Sequence, residues 1–277
     1  MKLKLSFSTC PNDTFMFDAL VNGKINTLGY SFDIHLADID ALNRLAIEGI
    51  TDITKISFNA FAQVSENYQL LSAGSALGRG VGPILVSRRN IYPDEVKYVR
   101  IAIPGIETTA NMLFSIAFPD AKSKNVYLFS EIEEAILSNE VDAGLIIHEN
   151  RFTFEQKGLR KIMDLGEYWE TKTNLPIPLG GIAIKRSLPD KLKTQINLLM
   201  RQSVEYAFAH PKDSYSYVRK YAQTMNVEVM YKHIQLYVNK YSIDLGDDGR
   251  NAINELYAKS HELNLIPKVN DDIFITP

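Results

Sequence analysis

His148 is the residue of this chain best placed to move a proton. It follows the apolar run Val141 to Ile147, a buried-strand pattern, and stands at the carboxyl end of that strand in Leu145-Ile146-Ile147-His148-Glu149. An imidazole titrates near neutrality, so it can take a proton and give it back there. The other histidines are placed less well. His35 sits inside an alternating strand, and His210, His233 and His261 lie in a helical tail where exposure is the simplest expectation. A lone histidine at a strand end can equally be structural, and the residue type alone does not choose between the two.

Groups that hold an anion recur at comparable places. Lys55-Ile56-Ser57 ends a strand, where a lysine can neutralise a carboxylate beside an orienting hydroxyl; a solvated lysine is the plain alternative. In Pro104-Gly105-Ile106-Glu107-Thr108-Thr109-Ala110-Asn111 a strand gives way to a turn, and threonines open a helix with an apolar face at Ala110, Leu113, Phe114 and Ala117. The unsatisfied N–H groups of such a first turn attract negative charge, although threonine there is also ordinary capping. Ser8-Thr9-Cys10-Pro11-Asn12-Asp13-Thr14 repeats the design after the first strand, with Asn12-Asp13-Thr14 read as the helix start. Ser8, Asn12, Asp13 and Thr108 are therefore candidate cleft residues. Cys10 reads as a small cleft-wall residue, since nothing nearby in sequence would lower its thiol pKa.

Ligands of open α/β sheets collect at the carboxyl ends of strands, so the elements must deliver these segments to one place. Leu3, Leu5 and Phe7 alternate as a strand, as do Phe32, Ile34 and Leu36. Between them an apolar helical segment runs from Phe15 to Val21. Asp38 caps a helix carrying Ile39, Leu42, Leu45 and Ala46 on one side, and a strand Ile53 to Ser57 leads to a helix Phe58 to Glu66. Such alternation predicts largely parallel sheets. The glycines and proline of Ser75 to Pro83 mark a crossing and a hinge. A second series follows: strands Ile84 to Ser87 and Tyr98 to Ile103, helix Thr109 to Phe118, strand Val126 to Phe129, helix Glu131 to Ser138 and strand Val141 to Ile147. The stretch Asn174 to Gly181 crosses back to a strand Ile182 to Lys185. From Pro189 the chain is helical, with an apolar face at Ile196, Leu199, Met200, Ser203 and Val204, and residues 264–277 form an extended tail. The expected fold class is α/β, two-lobed and like type II periplasmic-binding proteins, with two chain crossings and a helical C-terminal region. Residues 1–82 and 181–277 form lobe I, and residues 83–180 form lobe II.

Composition narrows the function. The 277 residues are 45% hydrophobic and 23% charged, ordinary soluble usage. Lys and Arg number 30 against 33 Asp and Glu, a net charge of -3 that favours neither nucleic acid nor an acidic membrane surface. A single cysteine forms no internal disulfide. The amino-terminal residues alternate where a secretory signal needs an apolar run, and no stretch has the length of a membrane span, so a cytoplasmic location is expected. No phosphate loop, HExxH, GxSxG or paired-cysteine motif occurs, so neither a cofactor nor a metal is expected. The partner expected is a small anionic molecule, and the sequence sets no oligomeric state.

Together these segments resemble the 1,4-dihydroxy-6-naphthoate synthases of the futalosine pathway. The resemblance runs through Ser8 to Phe15, Thr54-Lys55-Ile56-Ser57, Gly78 to Pro83, Thr108-Thr109-Ala110 and Leu145 to Glu149. It continues in Arg151-Phe152-Thr153, Asp164-Leu165-Gly166, Leu175 to Gly180 and Tyr237-Val238-Asn239, in order across nearly the whole chain apart from the last dozen residues. It implies a cofactor-independent lyase of menaquinone (vitamin K2) biosynthesis that converts cyclic dehypoxanthinyl futalosine to 1,4-dihydroxy-6-naphthoate and dihydroxyacetone. The family's proton acceptor falls on His148, and its substrate contacts fall on Lys55, Ile56, Ser57, Thr109 and Ala110. The nearest rival is chorismate dehydratase, a sister enzyme of the pathway that resembles this chain in architecture but is not associated with the Cys-Pro-Asn-Asp and Ile-Ile-His-Glu blocks. A solute-binding protein of the same fold would carry an export signal or anchor, and a ligand-sensing domain would not depend on a central histidine.

Overall fold

The structure, a computed structural model, describes residues 1–222 and 226–275, with main chain alone for His148 and Glu149. The chain opens with β1 (Lys2–Phe7), α1 (Pro11–Val21), β2 (Ser31–Leu36), α2 (Ile39–Ile47), β3 (Ile53–Ser57) and α3 (Phe58–Val64). Short strands β4 (Tyr68–Leu70) and β5 (Ala76–Gly78) precede the crossing to a second sheet. There follow β6 (Ile84–Ser87), β7 (Ile101–Ile103), α4 (Thr109–Ala117), β8 (Lys124–Val126), α5 (Ile132–Leu137) and β9 (Ala143–Ile146). Two 3-10 helices, His148–Phe152 and Phe154–Lys157, lead to β10 (Arg160–Asp164) and α6 (Leu165–Thr173). The strand β11 (Ile177–Lys185) returns to the first sheet, and α7 (Asp190–Ala209), α8 (Tyr215–Tyr221), α9 (Val227–Tyr237), α10 (Lys240–Ile243) and α11 (Gly246–Glu262) follow.

Local chemistry sets several of these boundaries. Asp38 caps α2 by accepting from the Ala41 N–H at 3.0 Å, and Gly49, at φ +68°, lets the chain turn away after it. The start of α1 differs from expectation: Cys10 is the N-cap and Pro11 the first helical residue, so Asn12 and Asp13 lie within the first turn. Proline suits that position because its missing N–H would be unsatisfied there anyway. Tyr98 ends a 3-10 helix from Pro93 and does not open a strand.

The first sheet has the order β2-β1-β3-β11-β4, with β5 also paired to β11, and the second has the order β10-β6-β9-β7-β8. Pairing is parallel for β1 with β2 and β3, and for β7 with β8 and β9. It is antiparallel for β11 with β3, β4 and β5, and for β6 with β9 and β10. Both sheets are therefore mixed, which corrects the largely parallel expectation. Parallel neighbours need a crossover back to the same sheet end; β6 and β11 each arrive from the other sheet without one. β11 also begins earlier than expected, and a register shift between Pro178 and Gly180 accommodates the proline. The tail adds to the sheet edge, where the Ile275 N–H donates to the Leu70 carbonyl at 3.0 Å. Thr276 and Pro277 lie outside the described residues, as do residues 223–225 of the expected helical region.

One apolar cluster joins the sheets, running from Ile56, Phe58 and Phe61 through Leu85, Ile101 and Phe114 to Trp169. A second packs β1 and α1 against α7 through Ile196, Leu199, Met200 and Val204, the face expected from periodicity. The packed interface fixes how the β1–α1 loop meets the rest of the molecule. Among the described residues, no helix is long and apolar enough to cross a membrane.

Candidate functional site

A cleft of about 700 Å³, counting the space open to solvent, lies between the sheets. The β1–α1 loop supplies Ser8 and Cys10 to its wall, the first turn of α1 supplies Asn12 and Asp13, and β3 supplies Lys55 and Ser57. Thr108, Thr109 and Ala110 face it from the start of α4, with Ile147 beyond β9, Gly180 on β11 and Tyr237 at the end of α9. Of the polar positions that the sequence proposed, Ser8, Asn12, Asp13, Lys55, Ser57, Thr108 and Thr109 lie on this wall.

Lys55 is not a solvated lysine. Its side chain is 7% exposed and that of Asp13 is 1% exposed, with Nζ 3.0 Å from Asp13 Oδ1. The approach is ionic in distance but off-line for a hydrogen bond, so the ammonium has no hydrogen-bond acceptor among the described residues. A buried cation with uncommitted N–H groups on a cavity wall favours an anionic guest, because desolvation has already removed its water. The Asp13 carboxylate is itself held. Ser8 Oγ donates to Oδ2 at 2.7 Å, the Ser8 N–H to the same oxygen at 3.3 Å, and Asn12 Nδ2 to Oδ1 at 2.9 Å. Gly180 leaves room beside this group: a Cβ there would lie 2.8 Å from the Ile56 carbonyl oxygen and 3.6 Å from Lys55 Cε.

Ser57 is oriented by Asn43, which the sequence reading missed. Asn43 Nδ2 donates to Ser57 Oγ at 3.0 Å, and the Ser57 N–H donates back to Asn43 Oδ1 at 2.9 Å. The signal was available, since Asn43 falls on the same helical stripe as Ile39, Leu42 and Ala46 and is fully buried there. Thr108 and Thr109 spend their hydroxyls on the protein. Thr108 Oγ1 donates to the Gly105 carbonyl at 2.8 Å and caps the Asn111 N–H at 3.3 Å. Thr109 Oγ1 accepts from the Phe58 N–H at 2.9 Å, tying α4 to the start of α3. What α4 keeps for a guest is its first-turn main chain at Thr109 and Ala110.

Ile56 is fully buried in the core on the strand face opposite Lys55 and Ser57, so only its main chain is near the cavity. His148 opens the 3-10 helix directly after the wall residue Ile147; its side chain lies outside the described residues. The main chain there is anchored by Arg151, whose guanidinium donates to the Gly82 carbonyl and pairs with Asp164 at 3.3 Å. His233 corrects the expectation of exposure. It is 0% exposed, and its Nε2 lies 2.9 Å from Asn12 Oδ1. The helical pattern placed it correctly in α9, but it is tertiary packing, of α9 against α1, β5 and the 3-10 helix His148–Phe152, that turns that face inward.

Two acids flank the seam between α2 and the loop before α4. Burial pushes the Asp40 carboxyl up, opposed by Arg44 and aided by Asp38. Burial likewise pushes Glu107 up, opposed by its contact with Gln63 and aided by Asp40. Among the described residues, no group of His, Cys, Asp or Glu side chains gathers to hold a metal ion.

The family profile described as menaquinone biosynthesis matches residues 3–262. A Thermus thermophilus protein named 1,4-dihydroxy-6-naphthoate synthase is 40% identical over 99% of this chain and 99% of its own length. This chain belongs to the menaquinone-biosynthesis family. A crystal structure of an Archaeoglobus fulgidus protein superposes on this family member with a TM-score of 0.90 at 34% identity, covering 96% of this chain and 98% of the other. A Candida albicans protein described as having the generic periplasmic-binding-protein fold matches at a TM-score of 0.71 and 13% identity, covering 99% and 93%. The menaquinone-biosynthesis chain thus has the two-sheet, twice-crossed α/β fold of periplasmic-binding proteins.

Proposed function

We propose that this chain is a 1,4-dihydroxy-6-naphthoate synthase, a cytoplasmic carbon–carbon lyase that converts cyclic dehypoxanthinyl futalosine to 1,4-dihydroxy-6-naphthoate and dihydroxyacetone. Residues 1–82 and 181–277 act as one lobe and residues 83–180 as the other, closing on the substrate. The substrate carries an aromatic carboxylate, and Lys55, Ser57 and the first turn of α4 are its donors. Neutral His148 accepts a proton from carbon; the electron pair left behind opens the ring and breaks the bond to the three-carbon fragment, which takes a proton back as it leaves. Aromatisation to the naphthalene diol supplies much of the driving force.

The observation that carries this reading is the buried ammonium of Lys55, with N–H groups uncommitted among the described residues, on a wall that leads through Ile147 into His148. Family membership and 40% identity, over 99% of the chain, to a protein bearing the synthase name support the reaction class. The test is to incubate the purified chain with cyclic dehypoxanthinyl futalosine and measure both products. Equal amounts of naphthoate and dihydroxyacetone are expected. Tight binding of the substrate without turnover would contradict the proposal and favour a solute-binding role, and dehydration of chorismate by the same protein would favour the sister activity.

A further inference from the structure

We infer that His233 is a positioning residue for the anion site, acting through Asn12 and Asp13 on Lys55; the inference rests on the carboxylated substrate proposed above. His233 lies 221 residues from Asn12 in sequence, yet its Nε2 is 2.9 Å from Asn12 Oδ1. Asn12 Nδ2 is 2.9 Å from Asp13 Oδ1, and that same oxygen is 3.0 Å from Lys55 Nζ.

Donor and acceptor chemistry permits one arrangement of this chain. An ionised carboxylate only accepts, so the Asn12 amide must turn its nitrogen to Asp13 and its oxygen to His233. The histidine must then carry its proton on Nε2. Ser8 fixes the other carboxylate oxygen through Oγ at 2.7 Å, so the Asp13 carboxylate is clamped from both ends. The lysine stem is flexible, and the ammonium goes where the carboxylate holds it. With Asp13 clamped, Lys55 is paired along one edge only, and its remaining N–H groups stay uncommitted among the described residues at the wall that Lys55 lines. With Asp13 free to rotate, the carboxylate can close a full hydrogen bond onto Nζ and withdraw it from a guest. His233 also packs its ring on Tyr237, 4.8 Å between centroids, and Tyr237 lines the same cavity. The helical tail thereby sets the charge geometry of a site whose donors come from the first strands.

The test compares the affinities of 1,4-dihydroxy-6-naphthoate and of naphthalene-1,4-diol, which lacks the carboxylate, under reducing conditions by titration calorimetry. The full chain is used as wild type, His233→Leu, His233→Gln and Asn12→Ala. Losing the clamp should cut the preference for the carboxylated ligand, read as the ratio of the two affinities, about ten-fold in His233→Leu and in Asn12→Ala. His233→Gln keeps an N–H donor near the Nε2 position and should restore the preference to within about three-fold of wild type. Should His233→Leu not fold, Asn12→Ala breaks the same link and carries the test. Unchanged preference in the variants, or equal weakening of both ligands, would overturn the positioning role. A wild type that does not prefer the naphthoate would overturn the anion site itself, and the inference with it.

Discussion

Lys55 and Asp13 stand or fall together in this site. Removing one member of a buried ion pair strands the other in low dielectric, so Lys55→Met should cost on the order of 3–5 kcal/mol. Adding Asp13→Asn to that variant removes the stranded charge and should recover most of the loss, read as the midpoint of chemical denaturation. Equal midpoints for the single and double variants would contradict the pairing. The lysine was legible in sequence because a strand alternates, and its position at the carboxyl end of β3 places it with Ser57 on one face. Its partner was not, since the Asp13–Lys55 contact joins the first turn of α1 to β3 through tertiary packing alone. His233 shows the same limit: the periodicity of α9 places it on a face, and nothing in the sequence says that α1 covers that face.

Elements were legible where pattern and punctuation agreed, as in β1, α2 and the apolar face of α7. They were misread where a proline interrupts a strand, as at Pro178 in β11, and where the direction of a strand depends on which sheet the chain has just left. Two contacts between elements invite direct tests. Ser203 on α7 accepts from the Leu20 N–H at 3.0 Å and donates to the Met16 carbonyl at 2.6 Å, the groups that an unbroken turn of α1 would join to each other. Ser203→Ala should lower stability by about 1–2 kcal/mol in thermal unfolding, because two buried main-chain groups lose their shared partner; a variant as stable as wild type would show that α1 recloses its own ladder. At the crossing, Gly82 meets Gly166 so closely that a Cβ on Gly82 would lie 2.3 Å from the Gly166 nitrogen. Main chain cannot swing aside as a side chain does, so Gly82→Ala should cost about 3 kcal/mol or more, and a melting temperature equal to wild type would refute that close approach.

The whole molecule is two mixed sheets held by a shared core, with the cleft on their seam and acids beside it. A carboxyl whose folded-state pKa is raised stabilises the fold fully below its ordinary value and loses that contribution as pH rises through the raised one. Glu107 is raised above its ordinary 4.5 chiefly by burial, so its ionisation works against the fold at neutrality. Glu107→Gln should therefore melt higher than wild type at pH 7, with the advantage vanishing as pH falls below 4.5; an advantage that grew in acid would reverse the sign of this account. The two crossings were legible as glycine- and proline-rich breaks, whereas the mixed pairing of each sheet was not, because strand direction is a property of the completed topology. At this scale the proposed function turns on His148, which follows the cavity-wall residue Ile147 in the chain. The most direct measurement is single-turnover conversion of cyclic dehypoxanthinyl futalosine by wild type and His148→Ala, with binding of the naphthoate product measured on both. Loss of the chemical step by a factor of about 10²–10⁴, with product affinity retained, is the expected result, and a His148→Ala protein that turns over at the wild-type rate would contradict the assignment of the base.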